Sequence, residues 1–231
     1  MPRPTLEILA YEPTPLGLLC LRRREVPGAP GTTVTEITLD HEFLMSSHLT
    51  DSERALARVA LELHVGTGLQ VLVGGLGLGY TAHAALASDR VARVEVVELL
   101  PQVVAWLAQG LVPLAPELNA DPRLAVVQGD VYARLAASPT RAYDLVLIDV
   151  DHSPDEQLAG ANAAFYTEEG LARARRHLAP GGVLGVWSSA ASSPFVDALR
   201  CAFHEVRAEE VTVWNDWIDE RQTDWLFFAR G

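Results

Sequence analysis

Apolar and polar positions follow two different periods along the chain. From Leu6 to about Met45, short runs of β-type residues at 5–11, 16–21 and 33–39 are broken by turn residues, most densely at Pro27-Gly28-Ala29-Pro30-Gly31. Runs of this length between Pro/Gly punctuation predict a small antiparallel β unit. Arg22, Arg23 and Arg24 close the second run, and three arginines beside a turn read as a solvated strand edge. Thr50 and Glu53 then stand at capping-box spacing. Leu56, Val59, Ala60 and Leu63 recur at helical intervals up to Gly66, which predicts one amphipathic helix joining two parts.

From Leu69 onward the pattern changes. Strand-like apolar runs near 70–74, 93–98, 124–128, 144–148, 183–187, 205–213 and 224–229 alternate with helical segments over 81–87, from Pro101, and over 131–136. A further helix is predicted from Thr167-Glu168-Glu169 through Leu171, Ala174 and Leu178, stopping at Pro180-Gly181-Gly182, and residues 188–193 read as a loop. Alternation of this kind predicts an α/β fold with helices flanking a mostly parallel, seven-stranded sheet. The expected organisation is an N-terminal β domain over 1–50 and a nucleoside-binding catalytic domain over 51–231.

Composition changes the picture little. The 231 residues are 49% hydrophobic and 21% charged, ordinary globular usage that excludes a mostly disordered chain. Acidic residues outnumber basic ones 30 to 18, giving a formal charge of -12, opposite in sign to a phosphate-binding footprint. Nucleic acid is therefore not an expected partner. Such a field favours small cations such as amines, although solubility explains it equally well. Cys20 and Cys201 lie far apart and form no C-x-x-C pattern, so a reducing, cytoplasmic setting is expected. Met1-Pro2-Arg3-Pro4 leads into no apolar leader segment, and no run is long enough to span a membrane.

The chemistry-bearing residues gather at strand ends. Val71-Leu72-Val73 runs into Gly74-Gly75-Leu76-Gly77-Leu78-Gly79 and directly on to a helical segment. Glycines at 75, 77 and 79 allow a tight strand-to-helix turn and close approach of backbone to a nucleotide. Glu98 ends the next strand about 20 residues on, where a carboxylate can accept from both ribose hydroxyls. Gly129-Asp130 closes the third strand. Asp130 reads either as an adenine contact or as the N-cap of the helix that follows. The apolar fourth strand ends in Asp149-Val150-Asp151-His152, at the same sheet edge, so Asp149 is a candidate for handling the reacting group or for ordering the loop. A metal is not expected. Neighbours in one turn rarely converge on an ion, and His41, His48, His64, His83, His177 and His204 form no ligand-spaced set.

Taken in order, these motifs together with Asp121-Pro122-Arg123, Tyr143-Asp144, Phe165-Tyr166 and Leu178-Ala179-Pro180-Gly181-Gly182-Val183-Leu184 resemble those of spermidine synthases, the polyamine aminopropyltransferases, and their relatives. The resemblance covers most of the chain. It implies a Rossmann-like class I methyltransferase fold behind an N-terminal β domain, with Glu98 on the ribose, Asp130 on the adenine amine and Asp149 as the catalytic aspartate. Asp151 and His152 would bind substrate. The implied co-substrate is decarboxylated S-adenosylmethionine and the partner a small amine.

Several positions depart from that pattern. The family has an aspartate near the end of its Gly-rich motif, where Leu78 stands. It has a glutamine at Met45 and a Tyr-His-Glu where Asp51-Ser52-Glu53 is found, and His152 replaces a second loop aspartate. These departures keep open an S-adenosylmethionine-dependent methyltransferase and a non-catalytic nucleoside-binding protein. Residues 151–166 make a long strand-to-helix connection able to close over a site, and their acids Asp151, Asp155 and Glu156 suit a cationic acceptor or simple solubility. Trp214, Trp217 and Trp225 leave a pocket wall, a homodimer interface and plain burial as alternatives.

Overall fold

The computed structural model describes residues 6–26, 29, 31–150 and 162–231. Strands β1 (Leu6–Thr14), β2 (Gly17–Glu25), β3 (Thr33–Leu39) and β4 (Glu42–Ser46) form an antiparallel sheet in sequence order. The fourth strand is shorter than the sequence pattern resolves. It is joined to β3 by Asp40 and His41, both at positive φ, with Leu39 paired to Glu42. Asp40 is held there because its Oδ1 accepts the Leu18 N–H at 2.6 Å.

The arginine run is not a solvated edge. Side chains alternate across a strand, so Arg22 and Arg24 share one face and Arg23 the other. Arg22 and Arg24 both pair with the buried Glu36 of β3, while exposed Arg23 faces Glu7.

The second sheet contains β5 (Leu69–Gly74), β6 (Val91–Glu98), β7 (Leu124–Gln128), β8 (Tyr143–Ile148), β9 (Leu178–Ser188), β10 (Glu205–Asn215) and β11 (Glu220–Arg230), in the order β10-β11-β9-β8-β5-β6-β7. Strands β7, β6, β5, β8 and β9 run parallel, and the β10–β11 hairpin adds antiparallel to β9. The order reverses between β5 and β8. In open α/β sheets the ligand crevice lies at that reversal, beyond the carboxyl ends of the strands.

Helices α1 (Asp51–Leu63), α2 (Tyr80–Leu86), α3 (Pro101–Ala108), α4 (Ala115–Ala120), α5 (Val131–Ala136), α6 (Glu168–Arg175) and α7 (Ser193–Ala202) cover the sheet, with a 3-10 turn at Ala163–Tyr166. Two apolar clusters form, one including Leu56, Val71 and Trp106, the other Leu72, Ile148, Phe195 and Phe227. Among the described residues no helix is long and apolar enough to cross a membrane.

Two boundary expectations are corrected. The Thr50/Glu53 capping box does not form: Thr50 Oγ1 accepts from Arg54 Nε at 3.2 Å, and Glu53 turns inward instead. Helix α6 starts at its Thr167 cap as expected but ends at Arg175, because Leu178 pairs with Tyr143 in the sheet and Pro180-Gly181-Gly182 forms an irregularity within β9.

Gly75 fixes the crevice. It sits at φ +93°, its N–H bonds Val97 O at 2.9 Å, and an added Cβ would lie 2.0 Å from the backbone oxygen of Asp149. Gly75→Ala therefore combines a left-handed non-glycine residue with an overpacked contact, and a loss of about 2–4 kcal/mol of unfolding free energy is expected. Urea denaturation checks this; an unshifted midpoint at unchanged slope would contradict the packing described.

Candidate active site

The turn from β5 to α2 is built around three glycines at positive φ. Gly75 lies against Asp149, Gly77 against the Met45 sulfur, and Gly79 caps α2 beside Leu118. Leu78 does not face the crevice: it is fully buried in the core, and only its N–H looks outward, to Met45 Sδ at 3.2 Å. The substitution read at Leu78 therefore alters the packing beneath the turn. Met45 does face the crevice, directly over Gly77.

Glu98, at the end of β6, is buried and braces the same turn. One carboxylate oxygen accepts from Leu76 N–H and the other from Leu100 N–H, each at 2.8 Å. Burial raises its pKa, opposed by these backbone N–H groups. Asp130, after β7, is the N-cap of α5: its Oδ1 accepts from Tyr132 N–H at 2.8 Å and Ala133 N–H at 3.2 Å. Arg123, at the start of β7, ties Asp121 to the carbonyls of Leu86, Ser88 and Val91, so Asp121-Pro122-Arg123 is a structural clamp.

Asp149 follows β8, and its N–H bonds Gly74 O at 2.8 Å, which locks the ends of β5 and β8 together. Its Oδ2 receives the Thr81 hydroxyl at 2.5 Å, and Thr81 Oγ1 is also 3.1 Å from the Glu53 carbonyl. The two contacts let Thr81 serve either form of the acid. It donates to the carboxylate, or it accepts from the protonated acid and turns its own proton to the carbonyl.

Two further acids meet Asp149 from α1 and β11, and sequence reading did not assign either to the site. Glu53 and Asp224 share Ser52, whose Oγ lies 3.1 Å from Glu53 Oε2 and 2.7 Å from Asp224 Oδ2 and accepts from Trp187 Nε1 at 3.0 Å. Ser52 has one proton for two carboxylates, so the arrangement is fully bonded only when one acid is protonated. Glu53 is that acid: burial, reinforced by the charges of Asp149 and Asp224, pushes it up to about 8. Burial also pushes Asp149 up to about 6 and raises Asp224, opposed by the hydroxyls of Thr81 and Ser52 respectively. The sequence cues were at Glu53, visible as a capping residue and as the last of the three residues that stand where the resembled family has Tyr-His-Glu.

The crevice has two connected parts. A cavity of about 150 Å³ is lined by Leu76, Gly77, Tyr80, Glu98, Asp149 and apolar side chains from the N-terminal sheet. A larger cleft of about 440 Å³ shares Leu44, Met45 and Glu53 with it and continues past Trp187 and Asp224 to Arg22, Arg24 and Trp217. Trp217 thus lines the pocket, Trp225 is partly buried on β11, and Trp214 is exposed. Asp151 and His152 lie outside the described residues, as does most of the connection expected to close over the site. Among the described residues no three His, Cys, Asp or Glu side chains group as metal ligands would.

The crevice thus lies at the sheet reversal of a Rossmann-like α/β fold faced by an antiparallel β unit. Solved spermidine synthases have the same fold. One, in complex with the transition-state analogue AdoDATO, matches with a TM-score of 0.75 over 97% of this chain and 73% of its own, at 18% identity. The enzyme of Thermotoga maritima matches at 0.74, again 18% identical, over 97% and 72%. In sequence, the chain is 36% identical over 146 residues to polyamine aminopropyltransferase 2 of Streptomyces coelicolor, covering 62% of this chain and 24% of that protein. The match thus spans about a quarter of the curated relative's length. No family model matches.

The raised acids predict a pH dependence. Glu53 ionises near 4.5 when unfolded but near 8 when folded, so its native protonation favours folding below about pH 4.5 and that advantage disappears as pH rises through 8. Glu53→Gln should therefore gain stability relative to the parent as pH is raised from 5 to 8. Paired urea titrations across that range test this; parallel stability curves would mean Glu53 is not held protonated.

Proposed function

We propose that the chain transfers the aminopropyl group of decarboxylated S-adenosylmethionine to a small amine, with the β unit over 1–50 closing on a nucleoside-binding domain over 51–231. One observation carries this reading. Beside the Gly-rich turn the cavity is lined by Glu53, Glu98, Asp149 and apolar groups, with no arginine or lysine among its described lining residues. An intact S-adenosylmethionine tail carries a carboxylate that needs a cation or free N–H groups, whereas a decarboxylated tail ends in an ammonium suited to acids. The likeness to a polyamine aminopropyltransferase supports the same choice.

The nucleoside would lie over Gly75, Gly77 and Gly79, with Glu98 on the ribose hydroxyls. Exposed Leu99 and Val127 flank the adenine, and Asp130 meets its amine while Oδ1 keeps the helix cap. An acceptor entering through the larger cleft arrives as an ammonium, since alkyl amines have pKa values near 10.4. Asp149 holds it and takes up its proton, while Glu53, protonated near neutral pH, accepts a hydrogen bond from it through the carbonyl oxygen of its carboxyl group. The freed lone pair attacks the carbon beside the sulfonium, an N–C bond forms, and the C–S bond breaks with its electron pair passing to sulfur as the neutral thioether. Asp149, pushed up to about 6, is ionised at neutral pH and lies beside the turn where the reacting carbon would sit, so it is the base.

Two variants test the assignment. Glu98→Ala removes the ribose acceptor and one brace of the turn, and should weaken nucleoside binding by about 1.5–3 kcal/mol in calorimetry. Asp149→Asn keeps shape and donor binding but cannot take a proton, so formation of the thioether nucleoside should fall at least a hundredfold. Full activity in Asp149→Asn would remove it from the chemistry. Nucleoside binding without turnover in the parent protein, whatever the amine, would favour a binding protein.

A further inference from the structure

The far end of the larger cleft differs in charge from the end beside Asp149. Glu53 borders both cavities, whereas Arg22 and Arg24 border only the larger one, so the arginines lie away from the Gly-rich turn. Arg22 directs Nε and one terminal nitrogen to Glu36 Oε2, each at 2.8 Å, and Arg24 directs Nε to Glu36 Oε1 at 2.6 Å. One buried carboxylate thus faces two guanidinium groups, leaving one positive charge uncompensated within this cluster. Arg24 has four further N–H donors with no partner among the described residues, and its guanidinium carbon lies over the Trp217 ring, 4.4 Å from the ring centroid. His48 stacks on the same ring at 3.7 Å and bonds Asp216, while the amides Asn215 and Gln222 complete the wall. A second ammonium at this end would meet the excess positive charge of the two arginines. A carboxylate would meet a planar donor fork held in place by stacking and by Glu36.

We propose that the acceptor is an amino carboxylate, with its amine against Glu53 and Asp149 and its carboxylate on the free N–H groups of Arg24 and Arg22. This rests on the aminopropyl-transfer reading of the same site. The bond changes are those given above, and the carboxylate takes no part in them. Arg24 sets acceptor specificity.

The test compares straight-chain ω-amino acids with straight-chain α,ω-diamines of the same length, following thioether nucleoside formation from decarboxylated S-adenosylmethionine. Binding of each acceptor is measured separately by calorimetry. Amino acids should give the higher kcat/KM. Arg24→Gln should raise their KM about 10- to 100-fold with little change in kcat, and Arg24→Lys, which keeps the charge without the fork, should recover part of the loss. Diamines used equally well or better, or an amino-acid KM indifferent to Arg24→Gln, would overturn the inference and leave aminopropyl transfer standing. Absence of turnover with every acceptor, alongside amino-acid binding lost in Arg24→Gln, would instead defeat the transfer reading and keep the carboxylate site. Failure of amino acids to bind the parent protein in the presence of the donor overturns the inference outright.

Discussion

The contact between Gly75 and the backbone of Asp149 governs everything else in the crevice. The parallel strands β5 and β8 meet at the reversal of sheet order, and a bond of 2.8 Å from Asp149 N–H to Gly74 O ties their ends together. Only a residue without a Cβ fits there, and only one that tolerates φ +93°. Once the contact is made, the Gly-rich turn, Asp149 after β8 and the start of α2 hold one relative position. Glu98 then braces the turn from the other side through Leu76.

Onto this frame the protein adds charge in an uneven way. Three carboxylates crowd around Ser52 and Thr81, two hydroxyls that can exchange donor and acceptor roles as the acids gain or lose protons. The sequence contains no lysine, so all 18 basic side chains are arginines and stay charged across the physiological range. Burial therefore brings Glu53 and Asp149 toward neutral pH, while Arg22 and Arg24 supply a fixed field at the opposite end.

What was legible in the sequence was local. The strand-helix alternation, the Gly-rich turn, Glu98, and Asp149 at a strand end all follow from period and punctuation within a dozen or so residues. Strand β4 escaped because its turn uses Asp40 and His41 at positive φ, without the glycine that would have marked it. Helices α4 and α7 are short and begin near prolines in stretches that also read as loop. The wall of the larger cleft escaped for a different reason. Glu53 looks like a capping residue and Arg24 like part of a solvated run until the fold brings Asp224 and Trp217 beside them, and no local pattern encodes that meeting.

The hydrogen bonds that unite the wall of the larger cleft also span very different lengths of chain from the one between Glu98 and the Gly-rich turn. Leu76 and Glu98 are 22 residues apart, whereas Ser52 reaches Trp187 across 135 residues, Asp216 from His48 across 168, and Asp224 across 172. Closing loops of that size has a large entropic cost and belongs to high contact order, so the larger cleft forms only after β11 has docked as an inner strand between β9 and β10. Fraying of the β10–β11 hairpin would open that half alone. The Gly-rich turn, held by β6 and β8 and by no residue of the hairpin, would remain intact, so the two halves of one crevice belong to cooperative units of different stability.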